Sequence, residues 1–386
     1  METTAQKIDL KNLDKSGWET FRFEEIASKI SETVDPNSTA LETYVGLEHL
    51  DAEDIHIRRK GTPDDVSGGK LKCYPGDVIF GKRRAYQRKA AIVDFDGICS
   101  AHAFVFRANP EIIDPKLFPF FLHSDQFMHR MVDISVGGLS PTINWGDLKH
   151  QEFLLPPKDQ QAQLAELLWA MDEVIESEMA LNKLIVNTKR SFFKNYRVAS
   201  KYKPLSYFCS VSYGLGQPPA RDENGVSMIR ATDICKGKID TKNFLKISKA
   251  GLPKGRDIHL NKGDIIIVRS GAYTGDLAMV TEDCEGAVAG YDLVIRSDER
   301  IINPIWLQEY LLEREAQNYY KGESIRSAQP HLNSKQVLDT IIPFHSIEIQ
   351  IQVSEKLSGF YKCLEISDKK IMASKALQKS LINQIF

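Results

Sequence analysis

Tyr74-Pro75-Gly76-Asp77-Val78-Ile79-Phe80 returns later in the same chain as Asn261-Lys262-Gly263-Asp264-Ile265-Ile266-Ile267. Working outward, Ala85-Tyr86 meets Ala272-Tyr273 at the same offset of 187. Two residues are then gained. At offset 189, Gly97 meets Gly286, Phe104-Val105-Phe106-Arg107 meets Leu293-Val294-Ile295-Arg296, and Ile113-Asp114-Pro115 meets Ile302-Asn303-Pro304. Phe121-Leu122 falls on Tyr310-Leu311, and Pro141, Ile143 and Asn144 fall on Pro330, Leu332 and Asn333. A string of matches this long with one small gap marks an internal duplication, so the fold is one unit written twice.

Each copy reads as short strands and turns, then helix, then a closing strand. Residues 78–80 and 265–268 are β-branched or aromatic runs that start after a Gly-Asp turn. Residues 115–131 and 304–320 carry apolar residues at helical spacing with a proline near the start. Residues 153–155 and 340–342 are expected as final strands, each ended by proline. Two α+β domains follow, covering 1–157 and 198–346.

After each copy comes a stretch that reads as one long helix. Residues 158–197 contain neither Gly nor Pro, and 347–386 contain only Gly359. In the first, Leu167, Met171, Val174, Leu181, Ile185 and Phe192 recur at 4- and 3-residue steps, and in the second Val353, Leu357, Phe360, Leu364 and Ile371 do so. That is the seam of a coiled coil, and forty residues give roughly 60 Å of helix. The first stretch begins acidic (Asp159, Glu166, Asp172, Glu173) and ends basic (Lys189, Arg190, Lys194, Arg197). The second runs from Glu348, Glu355 and Glu365 to Lys369, Lys370, Lys375 and Lys379. Antiparallel packing sets acid against base, although the same gradient also suits each helix dipole. Connectivity favours antiparallel too, because the second helix must return. A pair of readers on such a rod matches the two-fold symmetry of DNA, with the rod as ruler between half-sites.

Composition narrows the function. The 50 basic residues balance 52 acidic ones, with a pI near 6.5. Stand-alone DNA binders carry a basic excess, so this balance argues mildly against nucleic acid, and any DNA contact must rest on local patches or on a partner's charge. The six cysteines lie far apart and read as reduced thiols. The polar opening from Met1 to Asp14 and the lack of a long apolar run point to the cytoplasm and away from membranes. No G-x-x-x-x-G-K-[ST] loop occurs, Pro156-Pro157 lacks the neighbours an amino-methyltransferase uses to grip a flipped base, and the nine histidines show no metal-ligand spacing. The chain is therefore expected to be non-catalytic.

Leu155-Pro156-Pro157-Lys158-Asp159-Gln160-Gln161, followed by Leu164, Leu167, Leu168 and Asp172, resembles the start of the central helix in specificity subunits of type I restriction–modification enzymes. Residues 76–83 and Gly97-Ile98-Cys99-Ser100 resemble the core of that family's first domain. Tyr213-Gly214, Arg230-Ala231-Thr232-Asp233-Ile234 and 263–271 resemble its second. The second long helix departs from the pattern, since Pro343-Phe344-His345 replaces a double proline and Gln350 stands alone. The resemblance covers essentially the whole chain. It implies two pseudo-symmetric α/β target-recognition domains separated by two long antiparallel helices forming a coiled coil. The implied partners are double-stranded DNA with a bipartite asymmetric target, two methyltransferase subunits docked on the helices, and restriction/translocase subunits bound through them. No cofactor is expected in this chain; S-adenosylmethionine, ATP and Mg are implied for the partner subunits.

For DNA contact the richest stretch is Lys82-Arg83-Arg84-Ala85-Tyr86-Gln87-Arg88-Lys89, five cations around an aromatic and an amide. Arg and Lys pair with guanine, Gln with adenine, and further cations with phosphates; a solvated basic hairpin is the plainer reading. Arg58-Arg59-Lys60 is a shorter candidate and reads equally well as a surface loop. The matching place in the second copy holds Arg269, Ser270, Tyr273 and Thr274. A second loop pair, 140–145 and 328–333, offers Thr142 and Asn144, and Gln329 and His331. Asn144 and Asn333 also fit as helix caps. The competing class is a two-domain coiled-coil adaptor without a DNA role, which the basic loop disfavours.

Overall fold

The computed structural model describes residues 13–198, 201–324 and 330–386. The chain divides into two compact units, Met1–Ala180 with Asp368–Phe386 and Leu181–Ser367. Each is described by itself.

In the first unit an antiparallel sheet runs in the order Ala27–Ile30, Phe104–Ala108, Val78–Phe80, Ala90–Ile92. Val78 and Phe80 face a core with Phe23, Phe106 and Phe127, while Ile79 faces a second core with Val45, Cys99 and Val105. Both faces of the strand are covered, so it can be apolar at every position. Truncating a buried ring such as Phe106 to alanine would cost about 3–5 kcal/mol. A second sheet holds Thr33–Val34, Lys70–Cys73, Gly97–Cys99 and Tyr44–Val45.

The second unit repeats the pattern. Its sheet runs Cys209–Tyr213, Leu293–Ser297, Ile265–Ile267, Leu277–Met279. Ile265 and Ile267 face one core, while Ile266 and Val268 face another. A smaller sheet holds Leu245–Ile247, Arg221–Ile229 and Val288–Ala289.

The quoted Gly-Asp motif turns out to build these strands. Gly76 and Gly263 sit at φ of 90° and 93°, the left-handed region that disfavours a side chain. Asp77, fully buried, accepts from the Tyr74 backbone N–H at 3.0 Å and pairs with Arg107 at 2.7 Å. Asp264 does the same with Asn261 at 2.9 Å and Arg296 at 3.3 Å.

The helical stretches differ from the continuous runs expected. Residues 115–131 form Phe118–His123 and Asp125–Asp133, split at Ser124, whose extended backbone and Oγ cap the second piece through the Phe127 N–H. In the second unit the pieces are Pro304–Leu311 and Arg314–Ser324. The closing strands, Glu152–Leu155 and Ile341–Phe344, pair antiparallel with Glu19–Arg22 and Lys201–Pro204. The second strand continues through Pro343, which a two-stranded ribbon tolerates because one edge needs no donor.

The long helices run Lys158–Lys194 and Ile347–Ile385. In the first unit Leu164, Ala165 and Leu168 pack on Leu381, Ile382 and Ile385, Gln378 Nε2 lies 3.5 Å from Asp172 Oδ1, and Lys370 lies 3.6 Å from Glu178. In the second unit Asn182 donates to Ser367 at 3.2 Å and the Phe192 and Phe360 rings lie 5.9 Å apart. In both, rising numbers on one helix meet falling numbers on the other, so the pair is antiparallel.

The seam of the first helix lies one residue beyond the one expected. The covered stripe is Gln161, Ala165, Leu168, Asp172, Ile175, Met179, Asn182, Val186, Lys189 and Phe193. Val174 and Leu181, expected inside, are 53% and 46% exposed. Polar seam residues persist because each has a partner: Asp172 meets His56 at 2.7 Å, and Lys189 meets Glu309 at 2.7 Å.

Candidate nucleic-acid interface

In the first unit the strand Val78–Phe80 leads into a hairpin closed by the Gly81 N–H on Lys89 O at 2.9 Å. Its tip is a single turn, Ala85–Gln87, flanked by Arg84 at φ 58° and Arg88 at φ 52°. Two non-glycine residues in the left-handed region store strain, which clusters at ligand-contacting loops.

The other candidate loop packs directly on this one. Arg84 N–H donates to Pro141 O at 2.7 Å, Ile143 N–H donates to Lys82 O at 2.9 Å, and Arg83 forms a β-bridge with Thr142. Thr142 also exchanges backbone bonds with Val136 at 2.9 and 3.0 Å. Arg83 Nε and Arg84 Nε both reach Ser140 Oγ, at 2.9 and 3.2 Å, while their side chains stay exposed. Tyr86 is 55% exposed, and Gln87 is half-buried. Lys82 lies over the Phe104 ring at 5.1 Å. Its amine is pushed below the usual lysine range by burial and then by Lys29. Asn144 stands at the N-cap of Trp145–Leu148 but bonds Asp147 at 3.3 Å, without capping the backbone.

The other candidate cations of the first unit, Arg88, Arg58, Arg59 and Lys60, are committed elsewhere. Arg88 turns inward to Glu53 at 2.8 Å, Asp125 at 2.6 Å and His123 O at 3.0 Å. Arg58 bonds Asp54 and, through two nitrogens, Glu176 of the long helix; these carboxylates hold its guanidinium above the usual range. Arg58 and Arg88 line a cavity of about 360 Å³ with Asp172 and Lys375. Arg59 pairs with Asp51 at 2.5 Å on the surface, and Lys60 with Asp94 at 3.0 Å.

The second unit builds its loop pair on the same frame. Leu332 N–H donates to Arg269 O at 2.7 Å, and Ser270 bridges His331, the counterparts of Ile143–Lys82 and Thr142–Arg83. The chemistry differs. Arg269 lies between the Tyr213 and Tyr291 rings, at 4.8 and 4.4 Å, and Nη2 meets His331 Nε2 at 2.7 Å. Its own N–H donates to buried Asp292 at 3.2 Å, whose carboxyl is raised by that burial. Burial and then Arg269 hold His331 below its usual value, and the bond from the guanidinium requires an unprotonated Nε2. Tyr273 is 53% exposed, and Thr274 bonds Gly271 O at 2.7 Å. Asn333 makes a full capping box with Gln336. Gln329 lies outside the described residues.

Sequence reading overlooked Ser140, Tyr291 and Asp292. Ser140 stood inside the quoted loop, whereas nothing in the pattern marks Tyr291 or Asp292. Among the described residues no group of three or more His, Cys, Asp or Glu is placed to hold a metal ion, and no helix is long and apolar enough to cross a membrane.

The sequence profile described as "Type I restriction modification DNA specificity domain" matches residues 15–187 and 219–373. The chain is 27% identical over 173 residues to the type I restriction enzyme EcoBI specificity subunit of Escherichia coli, covering 45% of this chain and 36% of that subunit, so the match spans about a third of the relative's length. Among solved structures, the type I restriction–modification system S subunit from M. genitalium superposes with a TM-score of 0.57 at 14% identity, over 99% of this chain and 98% of that one. A chain from a structural study of complex assembly and conformational transition of the type I R-M system gives 0.54 at 19% identity, over 96% and 97%. These two likenesses concern the fold.

Proposed function

The chain belongs to the type I restriction–modification DNA specificity family, and on that premise we propose that it is the non-catalytic subunit that reads a bipartite, asymmetric double-stranded DNA target, one unit per half-site. The observation that carries this reading is the repeated loop frame with unlike side chains. Lys82, Arg83 and Thr142 occupy the same backbone frame as Arg269, Ser270 and His331. One frame fixes where a base edge would be met, and different groups on it fix which base.

Two methyltransferase subunits dock on the long helices in this reading, with restriction/translocase subunits bound through them. Supporting it are apolar side chains exposed on those helices: Val174, Met372 and Leu377 in the first unit, and Leu181, Leu184 and Ile366 in the second. Where such side chains form a contiguous apolar patch, the patch marks an interaction face. The near-neutral charge of the chain fits an assembly in which partners supply part of the attraction to DNA.

The test is an exchange of residues 13–155 for the matching segment of a family member with a different target. Methylated sites are then mapped in cells carrying the chimera and a methyltransferase partner. One half-site should change and the other persist. A change in both, or in neither, rejects one unit per half-site.

A further inference from the structure

Leu139 is 97% exposed, at the apex of the loop between Val136 and Thr142. The loop is pinned, since Val136 and Thr142 exchange both backbone bonds, Gly137 takes a left-handed turn at φ 118°, and Pro141 O accepts from Arg84. The residue after Leu139, Ser140, receives both Arg83 Nε and Arg84 Nε. Any surface that reaches Leu139 therefore meets two guanidiniums at the base of the same loop. Val136, 63% exposed, adds apolar surface at the neck.

We propose that Leu139 is an apolar wedge that enters between two base pairs of the first half-site, with Arg83 and Arg84 on the flanking phosphates. This rests on the DNA-reading role proposed above. An apolar tip backed by cations suits duplex DNA, where leucine-sized wedges unstack one step and bend the helix while arginines hold the backbone. A protein partner would have to supply both an apolar pocket and carboxylates for two guanidiniums to avoid a desolvation cost. The wedge reads deformability, favouring a pyrimidine–purine step at the point of entry.

The experiment uses the assembled complex with its methyltransferase subunits and duplexes carrying 2-aminopurine at successive positions of the first half-site. Wild type should raise fluorescence at one step other than that of the methylated base, and Leu139→Ser should abolish that rise. Leu139→Ser should also weaken binding about tenfold, the effect of losing one buried leucine, and lose the preference for a pyrimidine–purine step at the point of entry while keeping discrimination elsewhere in the half-site. Leu139→Met, which keeps length and apolar character, should restore the rise. Equal fluorescence from wild type and Leu139→Ser on bound DNA would overturn the wedge and leave the DNA-reading role intact. Failure of the wild-type complex to bind any duplex would overturn the role itself. Loss of methyltransferase subunits from the Leu139→Ser complex, read by mass photometry, would assign the leucine to a protein contact and reject the wedge.

Discussion

Gln161 and Gln350 make the same set of bonds from equivalent places. Gln161 Oε1 accepts from the Asp114 N–H at 2.6 Å, and its Nε2 donates to Ile112 O and Pro156 O at 2.9 and 2.8 Å. Gln350 Oε1 accepts from the Asn303 N–H at 2.9 Å, and its Nε2 donates to Ile301 O and His345 O at 3.2 and 2.9 Å. Each glutamine locks the first turn of a long helix to the loop before a domain helix. Gln161→Ala or Gln350→Ala should each cost about 1–3 kcal/mol, because buried backbone groups lose partners. Urea unfolding followed by circular dichroism measures this, and a midpoint unchanged in both variants would reject the latch.

Arg83 and Arg84 are exposed yet fixed through Nε, which leaves the outer edges of the guanidiniums for a ligand. Arg83→Glu with Arg84→Glu should weaken specific DNA binding by the assembled complex without unfolding it. Each lost phosphate contact should flatten the dependence of log affinity on log salt by about one unit. Anisotropy titrations across a salt series supply the slope, and a parental slope with parental affinity would be the contrary result.

The Arg269–His331 contact needs a neutral imidazole, and burial and Arg269 together hold His331 below its usual value. A histidine lowered in the folded state contributes stability that is present above its unfolded pKa and lost as pH falls through the folded one. Acidification should therefore release Arg269 and blunt discrimination at the second half-site, while the first, with Thr142 at the matching place, keeps its discrimination. Affinities for duplexes mismatched in one half-site at a time, compared at neutral and at mildly acidic pH, measure this. His331→Thr should remove the difference. A pH effect of equal size in both half-sites would argue against it.

Lys189 and Glu309 form a buried pair, with Tyr361 donating to the same carboxylate at 2.5 Å and Lys189 lying over its ring at 4.7 Å. Burial and the Glu309 charge push the Tyr361 hydroxyl well above the ordinary tyrosine range. Lys189→Met strands a buried carboxylate and should destabilise the second unit by about 3–5 kcal/mol. Adding Glu309→Gln to it should recover much of the loss. Thermal melts of the two variants decide, and additive losses would count against a coupled pair.

The duplicated frame was legible because its markers are backbone requirements. A left-handed glycine and a turn-capping aspartate must recur wherever the turn recurs, as at Gly76-Asp77 and Gly263-Asp264. The helix seam was legible only in period. Counting apolar residues selects Leu167, Met171, Val174 and Leu181, because Asp172, Asn182 and Lys189 announce burial only through partners far away in sequence. Gln350 falls on Gln161 at the offset of 189, but the three backbone groups that make each a latch appear only in the fold. At the candidate site, charge alone grouped Arg58 and Arg88 with Arg83 and Arg84. Nothing local in the sequence tells that Glu176, or Glu53 with Asp125, claims the first two.

The strand that opens each unit is hydrogen-bonded to the strand that closes it, Glu19–Arg22 to Glu152–Leu155 and Lys201–Pro204 to Ile341–Phe344. A crossover between genes that falls within these ribbons would replace a whole reading unit while rejoining the chain at neighbouring points. The backbone bonds of the ribbon ask little of the side chains it carries. In the DNA-reading role proposed above, an exchange within these ribbons would join new pairs of half-sites, so a single genetic event would change what is recognised.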